Sequence, residues 1–309
     1  MPKPRPLPPD LPAAFAVGEA LLLGVSRDRL RTRDLESVFR GSRSRPVELK
    51  QMNEHERRFA ELLAKCAAYV PVAPRDFAFS HVTAARLYRI PLPASLERRA
   101  AVDVATSGAV QPRMRGVIGH RIALGATRVI HGFNVVSPED AWLQLATMLT
   151  VDELVVAGDH LVKRKRPLTN IESVRAAAQG SSGRRGIATA RSALADIRSG
   201  TDSPGETRTR LVIVRAGLPE PVVGHEVVDA DGYFVGTPDL AYILEKIAIE
   251  YEGEVHRIDQ RTFDDDIDRR ERFEAAGWRV IRVRARHLRD PHALTERVRA
   301  ALHQRGTSL

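Results

Sequence analysis

Residues 237–253 read TPDLAYILEKIAIEYEG, and this stretch decides how we interpret the last third of the chain. In its second half, IAIEYEG, acidic residues alternate with apolar ones, which is typical of a β-strand with one buried face. We predict a tight connection near Ile243 to Glu245 that joins this strand to the one before it. In a simple antiparallel hairpin Asp239 and Glu250 then lie opposite one another, with Cβ atoms roughly 4.5–5.5 Å apart.

Glu252 lies two residues beyond Glu250, so strand periodicity places both carboxylates on the same face. Three carboxylates on one patch repel each other unless a cation lies between them, and Mg²⁺ with oxygen ligands is the usual cation. Such an ion polarises a phosphoryl oxygen and activates water, as phosphodiester hydrolysis requires. The alternative is an ordinary solvated strand face. The apolar character of the strand favours the metal site.

The same alternation of patterns extends over residues 204–303. Ser203 and Pro204 open a helix that carries Glu206 in its first turn and ends at Gly217. Three strands follow within residues 225–253, with the turn DADG between the first two. A helix ending at Gly277, the strand WRVIRV and a final helix from Asp290 to His303 complete the region. The order helix, three strands, helix, strand, helix predicts an α/β domain.

Six spaced segments of this region resemble the domain of unknown function family 559, which is similar to the very-short-patch repair endonucleases of the PD-(D/E)xK superfamily. The segments are SPGET, GLPEP, TPDLAY, IAIEYEG, FDDDIDRR and AAGWRVIRV. The resemblance implies a restriction-endonuclease-like α/β domain with a mixed sheet, in which Asp239 and Glu250 bind Mg²⁺ or Mn²⁺. It also implies that Glu206 is the acidic residue of the first helix. His256, Asp266 and Arg269 match the polar positions that follow the third strand.

The chain departs from the wider superfamily at Glu252, where that superfamily has a lysine. A lysine would orient water or stabilise developing charge, whereas a carboxylate cannot donate in the same way. Lys246, on the same predicted strand face as Glu250, and His256 are the residues that could substitute. The candidate catalytic residues are therefore Glu206, Asp239, Glu250, Glu252 and His256.

The amino-terminal region, residues 13–69, shows a helix-turn-helix pattern. The helical stretch AAFAVGEALLLG ends at Gly24, Ser26 is a plausible N-cap, and RDRLRTRDLESVF reads as a second helix with Arg29 and Arg33 on one face. The alternative is a helical hairpin with solvated arginines. With SHVTAARLYRIPLP, this region resembles actinobacterial proteins similar to the abortive-infection type IV antitoxins. That resemblance implies a winged-helix-like DNA-binding segment, with Arg29 and Arg33 on the duplex, and a cognate toxin as a further partner.

Between these regions, residues 70–199 predict a mixed α/β middle region, and residues 1–12 a proline-rich, disordered tail. SGTDSPG is the clearest linker, and it places the main domain boundary near residues 199 to 204. The chain is thus an α/β multidomain protein. His81 and His120 lie in the middle region, each far in sequence from a nucleophile or ligand, so we expect structural roles for them.

The 309-residue chain has a net charge of +9, which favours a polyanion such as DNA as its partner. The segment between His160 and Arg191 contains eight lysines and arginines and only one acidic residue, a glutamate. The single cysteine excludes an intramolecular disulfide and a cysteine zinc cluster. MPKPRPLPPD has too much proline for a secretory signal, and no apolar stretch spans a bilayer, so we expect a cytoplasmic protein without a membrane partner. The candidate nucleic-acid contacts in the basic stretch are Lys163, Arg164, Lys165, Arg166, Arg184 and Arg185.

Three functions fit these observations. The first is a metal-dependent DNA endonuclease that hydrolyses phosphodiester bonds in phage defence or repair. The second is a non-catalytic DNA-binding regulator of the type IV antitoxin kind, with a degenerate nuclease domain. The third is a nucleotide- or RNA-processing enzyme of the same fold. Glu252 separates the first two, because an active site needs another positive group near the scissile phosphate.

Overall fold

The computed structural model describes residues 4–108, 111–253 and 269–307. Within these ranges the protein is mixed α/β and divides into two compact units, Met1–Leu145 and Ala146–Leu309. The α/β class predicted from the sequence is therefore present in both units.

The first unit is built on a mixed five-stranded sheet with the order β5-β4-β3-β7-β6. A separate pair, β1 and β2, lies near the amino terminus. The strands are β1 (Ala14–Ala16), β2 (Ser42–Ser44), β3 (Phe77–Phe79), β4 (Val102–Thr106), β5 (Val117–Arg121), β6 (Thr127–Ile130) and β7 (Phe133–Val136). The helices are α1 (Val17–Leu22), α2 (Glu54–Tyr69), α3 (His81–Leu87), α4 (Ala94–Glu97) and α5 (Pro138–Leu145).

Local signals define the ends of the longer helices in this unit. Asn53 caps α2 by accepting from the backbone N–H of Glu56 at 2.9 Å, and the Glu56 side chain returns the bond to the Asn53 backbone. Ser137 accepts from the N–H of Asp140 at 3.1 Å and starts α5. Trp142 of α5 is fully buried, as its place on the apolar side predicts.

The second helix of the predicted helix-turn-helix is absent, which corrects the prediction for residues 27–39. Only a short 3-10 turn, Arg29–Arg31, forms there. Arg29 is responsible in part, because it donates to Thr32 at 2.6 Å and forms an ion pair with Asp34 at 2.8 Å. Such local bonds of threonine and aspartate side chains compete with helix formation. Leu30 of this turn is buried in a small apolar cluster with Phe15 and Leu35.

In the second unit, helices accompany a four-stranded mixed sheet with the order β13-β12-β11-β8. Its helices are α6 (Val151–Leu161), α7 (Ile171–Gln179), α8 (Ile187–Asp196), α9 (Pro204–Arg215), α10 (residues 269–275 of the described chain), α11 (Ala285–Arg289) and α12 (Pro291–Gln304). Its strands are β8 (Val222–Val223), β9 (Val227–Val228), β10 (Phe234–Gly236), β11 (Leu240–Tyr242), β12 (Ile247–Glu252) and β13 (Arg279–Arg284).

Residues 225–253 form four short strands rather than the three that we predict. The predicted middle strand breaks at Pro238, which has no backbone N–H to donate to a sheet. β10 pairs with β9 across the DADG turn, whereas β11 pairs with β8 and β12. β12 and β13 are parallel, so the sheet is mixed.

The predicted linker at residues 199–203 lies inside the second unit, and the two compact units divide instead at Leu145. A buried ion pair joins α6 to α9 across that linker: Arg210 donates to Asp159 at 2.9 Å, and both side chains are almost fully buried. Asp159 also accepts from the Thr207 hydroxyl at 2.9 Å. Helices α6, α7 and α8, which we assigned to the middle region, therefore belong to the same compact unit as α9 and its sheet.

The two faces of the second unit's sheet carry different side chains. Ile247, Ile249 and Tyr251 of β12 pack with α9 and α12 in one apolar core. Ala248 packs on the other face, with Phe273 of α10. Glu250 and Glu252 share the face of Ala248, because side chains two residues apart point the same way.

Candidate functional site

The pairing of β11 with β12 places Asp239 beside Glu250. Leu240 pairs with Ile249, so the same register extended by one residue sets Asp239 opposite Glu250. Directly opposed side chains have Cβ atoms roughly 4.5–5.5 Å apart. The sheet therefore has the register that the sequence predicts.

Glu206 approaches this end of the sheet from the first turn of α9. Ser203 caps the helix by accepting from the Glu206 N–H at 3.2 Å, and the Glu206 carboxylate accepts from the Asp202 N–H at 2.7 Å. Gly205 lies directly against the ring of Tyr251 in β12, since an added Cβ would stand 2.0 Å from Cε1. This close approach brings the start of α9, and buried Glu206 with it, to the carboxyl end of β12.

Burial and neighbouring charge act together on Asp239. Its pKa is raised to about 7, first by burial and next by the negative charge of Glu206, with a smaller contribution from Glu250. The N–H of Tyr251 donates to Asp239 at 2.7 Å and opposes the rise. Burial also raises the pKa of Glu206. Ionised carboxylates in this place repel one another, and a divalent cation would relieve that repulsion.

Arg269 of α10 forms an ion pair with Glu250. Its guanidinium lies 2.8 Å from Glu250 Oε1 and donates to the carbonyl of Thr237 at 2.8 Å. It also faces the ring of Phe273, 5.8 Å from the centroid. Arg269 of α10 therefore pairs with Glu250. The resemblance named Arg269 as a polar position, but it did not predict this contact.

Glu252 shares a face with Glu250, but its partners differ from those we expected. It forms ion pairs with Arg282 and with Arg284, the latter at 2.6 Å. The parallel register of β12 and β13 explains the contact, because Glu252 pairs with Arg284 and Glu250 with Arg282. Sequence reasoning missed these two arginines. The alternation of RVIRVR could have indicated them, because it sets Arg282 and Arg284 on one strand face.

Lys246 does not take the place of the missing lysine. It lies in the turn before β12, with φ +50°, and its Nζ is 3.5 Å from the carbonyl oxygen of Ala276. Four residues of extended chain, roughly 13 Å, separate Lys246 from Glu250. The predicted site residues His256 and Asp266 lie outside the described residues.

The predicted nucleic-acid contacts fall into two groups. Arg29 is tied to Asp34 and its side chain is only 11% exposed, so it is not presented to a duplex as we expected. Arg164 pairs with Asp202, at 3.0 Å from its Nε. The remaining residues of the basic stretch and Arg33 are exposed or half-buried, and their role in binding stays a prediction: Arg33, Lys163, Lys165, Arg166, Arg184 and Arg185.

Arg164 also connects the basic stretch to the carboxylates. The negative charges of Asp202, Glu206 and Asp239 raise its pKa, after the larger effect of its hydrogen bond to Asp202. The carboxylates of the sheet and the start of the basic stretch therefore share one electrostatic environment within the second unit.

His81 and His120 lie together in the first unit. Their rings stack with centroids 3.5 Å apart, and His120 Nε2 is 3.0 Å from Oδ1 of buried Asp103. These contacts join α3, β4 and β5, which agrees with the structural roles that we expect. The partner missed from the sequence is Asp103, an acidic residue inside the apolar strand β4.

The donor set for a metal ion is incomplete in this arrangement. Over residues 4–108, 111–253 and 269–307, no three His, Cys, Asp or Glu side chains are close enough to hold one ion together. Glu250 pairs with Arg269 through Oε1, and Glu252 pairs with two arginines, so Glu250 Oε2 and Asp239 are the carboxylate oxygens that would face a metal ion. Oxygen donors are the correct type for Mg²⁺ or Mn²⁺.

The second unit is thus an α/β unit with two neighbouring carboxylates, Asp239 and Glu250, on a mixed sheet. No protein-family model, curated protein or solved structure matches the chain. In the part of the chain that is described, no helix has the length and apolar character needed to cross a membrane.

Proposed function

We propose that the second unit is a metal-dependent endonuclease domain that hydrolyses phosphodiester bonds in DNA. The observation that supports this most is the opposition of Asp239 and Glu250, with the Asp239 pKa raised to about 7 by burial and by Glu206. Holding ionised carboxylates this close has a free-energy cost, and functional sites are where such costs are usually found.

Each residue of the site has a distinct part in this proposal. Asp239 and Glu250 hold the metal, and Glu206 adds negative charge that strengthens its binding. When bound, Mg²⁺ or Mn²⁺ stabilises the charge that develops on the phosphoryl oxygens. Arg269 supplies positive charge beside Glu250, which is the contribution that a lysine makes at position 252 in the superfamily.

DNA is the substrate that the charge of the chain favours. The net charge is +9, and the basic stretch begins at residues that share the electrostatic environment of Glu206 and Asp239. Fixed positive charge concentrates phosphates and releases their counterions on binding. The resemblance to very-short-patch repair endonucleases adds a role in repair or phage defence as part of the proposal.

Cleavage of supercoiled and mismatched plasmid DNA with Mg²⁺ or Mn²⁺ tests the proposal. We expect metal-dependent nicking by the wild type, and a loss of about 100-fold or more in Asp239→Asn and Glu250→Gln. Asp231→Asn, which neutralises an exposed carboxylate in the DADG turn, is the matched control and should cleave like the wild type. Equal nicking by all four proteins would point to a contaminant and overturn the proposal.

A second candidate is a non-catalytic DNA-binding regulator of the antitoxin kind, for which a cognate toxin would be a further partner. The observation that favours it is the Glu250–Arg269 ion pair, which occupies a carboxylate that a metal would need. In the same assay this candidate predicts DNA binding without cleavage, with equal affinity in the wild type and both carboxylate variants.

A further inference from the structure

Four arginines lie along β13, the edge strand beside β12, and on the two helices that follow it. The cluster consists of Arg282 and Arg284 of β13, Arg286 of α11 and Arg297 of α12. Arg297 lies 3.4 Å from the carbonyl oxygen of Arg282, and Arg286 Nε lies 3.3 Å from His287. Arg286 and Arg297 are exposed, and Arg282 and Arg284 are partly exposed. We call these four residues the arginine cluster.

The positive charge of the cluster acts on His287, which lies close to Arg284, Arg286 and Arg297. The pKa of His287 is lowered first by burial and then by the positive charges of Arg297, Arg286 and Arg284. The His287 ring accepts from the Arg284 N–H at 3.0 Å, which fixes it at the start of α11. A surface that disfavours an added positive charge in this way favours a bound anion.

Glu252 is the carboxylate that this cluster holds. It pairs with Arg282 and, at 2.6 Å, with Arg284. Within the described ranges, neither Arg286 nor Arg297 forms an ion pair. The cluster therefore keeps an excess of positive charge after Glu252 is counted, and its guanidinium groups offer the planar donors that match phosphate oxygens.

The cluster lies next to the proposed cleavage site. Glu250 pairs in register with Arg282, one strand away, and neighbouring strands are about 4.8 Å apart. Phosphates follow one another along a nucleic-acid strand about every 3.4 Å of helix axis. A strand with one phosphate at Asp239 and Glu250 thus has its neighbouring phosphates within reach of Arg282 and Arg284.

Resting on the proposed function, we propose that the arginine cluster is a phosphate-binding subsite for the nucleic-acid backbone beside the cleavage site, and that Glu252 occupies it until the backbone displaces the carboxylate. Glu252 is then neither a metal ligand nor a remnant of a lost lysine. It is an internal anion that competes with the substrate for Arg282 and Arg284.

Binding of fluorescein-labelled DNA, as a 20-nucleotide single strand and as the duplex, tests the subsite by anisotropy in EDTA over a range of salt concentrations. Removing the competing charge in Glu252→Gln should tighten binding about 5-fold, the scale of an exposed ion pair. Arg284→Gln and Arg286→Gln should weaken binding and each lower the slope of log K against log salt by about 1. Inorganic phosphate should compete less well against Arg286→Gln than against the wild type.

Arg299→Gln is the matched control, because it removes one positive charge from α12 at a side chain that pairs with Glu296. Arg299 lies two residues from Arg297 and therefore on the opposite side of the helix. The subsite is refuted if Glu252→Gln binds DNA like the wild type and the two cluster variants bind like Arg299→Gln. Thermal melts of each variant confirm that affinity is compared between folded proteins, and exposed Arg286 remains available if a change at Glu252 or Arg284 prevents folding.

The two proposals fail separately in this design, because binding is measured without metal. Tighter binding by Glu252→Gln in a protein that never nicks plasmid DNA would keep the subsite and remove the nuclease. Nicking that depends on Asp239, with no effect of the cluster variants on affinity, would keep the nuclease and remove the subsite.

Discussion

At the scale of single residues, the ionisation of Asp239 works against folding. The pKa of this carboxyl is raised to about 7 in the folded chain, from an ordinary value of 3.8. Between these two pH values the folded protein keeps a proton that the unfolded chain has lost. The contribution of this carboxyl to stability therefore falls as the pH rises from about 4 to about 7, and the cost remains in full above that range.

Asp239→Asn should remove this dependence, because an amide carries no charge at any of these pH values and still accepts from the Tyr251 N–H. We expect the variant to be more stable than the wild type at pH 8, by roughly 1 to 3 kcal/mol, and nearly equal to it at pH 4. Urea denaturation across this pH range measures the difference.

Divalent metal gives the same substitution a second readout. If the proposed site binds metal, Mg²⁺ or Mn²⁺ should raise the melting temperature of the wild type at pH 8 and leave Asp239→Asn unchanged, because the variant lacks the Asp239 ligand. An equal metal effect on both proteins would contradict a site at Asp239.

At the scale of elements, the close approach of α9 to β12 positions Glu206. Alanine normally stabilises a helix relative to glycine by up to about 1 kcal/mol. At Gly205 the new Cβ would overlap the ring of Tyr251, which is packed in the core of the unit. Gly205→Ala should therefore destabilise the protein by about 1 to 3 kcal/mol and displace Glu206 from Asp239.

The control for this prediction is Gly18→Ala in α1, where nothing lies within 4 Å of the added Cβ. Adding Tyr251→Leu to Gly205→Ala should restore part of the lost stability, since the smaller side chain leaves room for the methyl group. If the denaturation midpoint of Gly205→Ala equals that of the wild type, the helix does not depend on this contact for its position.

Element by element, the sequence predicted what local patterns determine. The alternation of IAIEYEG and the position of the turn after Tyr242 were enough to predict the pairing of Asp239 with Glu250. Ser203, as an N-cap, was enough to start α9. The contacts of Glu252 depend instead on which strand lies beside β12, and Arg282 comes 30 residues later. Local periodicity contains no information about such neighbours, so the ion pairs could not be predicted.

The same distinction explains the errors. Residues 27–39 have helical spacing, but the side-chain bonds of Arg29, Thr32 and Asp34 stabilise a different local backbone. SGTDSPG has the composition of a linker, yet the buried contact of Arg210 with Asp159 holds its two flanks in one unit. In both cases the structure depends on specific side-chain contacts, which hydrophobic spacing and composition do not reveal.

At the scale of the whole molecule, the buried ion pair between Arg210 and Asp159 bears on where the chain can be divided. A fragment of residues 146–309 keeps Asp159, Arg210 and the Asp196 carbonyl to which Arg210 donates at 2.8 Å. A fragment of residues 204–309 loses both acceptors together with α6 and α8, so Arg210 and the side of α9 that packs on these helices become exposed. Exposing that side of α9 loses the burial of its apolar atoms, at about 25 cal/mol per Å², and a small domain has only about 5 to 15 kcal/mol of stability.

We therefore expect the 146–309 fragment to unfold cooperatively and the 204–309 fragment to be largely unfolded at 25 °C. Thermal denaturation followed by circular dichroism separates the two outcomes. Arg210→Met within the 146–309 fragment is a useful comparison, because it leaves Asp159 buried without its partner and should destabilise that fragment by about 3 to 5 kcal/mol. A sharp melt of the unmodified 204–309 fragment would show that the predicted boundary near residue 204 is also a folding boundary.

The two faces of β12 also bear on how this protein could change over evolutionary time. Ile247, Ile249 and Tyr251 maintain the core, while Glu250 and Glu252 carry charge on the other face. Substitutions on the charged face can alter binding or chemistry while the packing side chains stay the same. A library varied at positions 250, 252, 282 and 284 would therefore sample many charge patterns on one scaffold whose packing side chains stay the same.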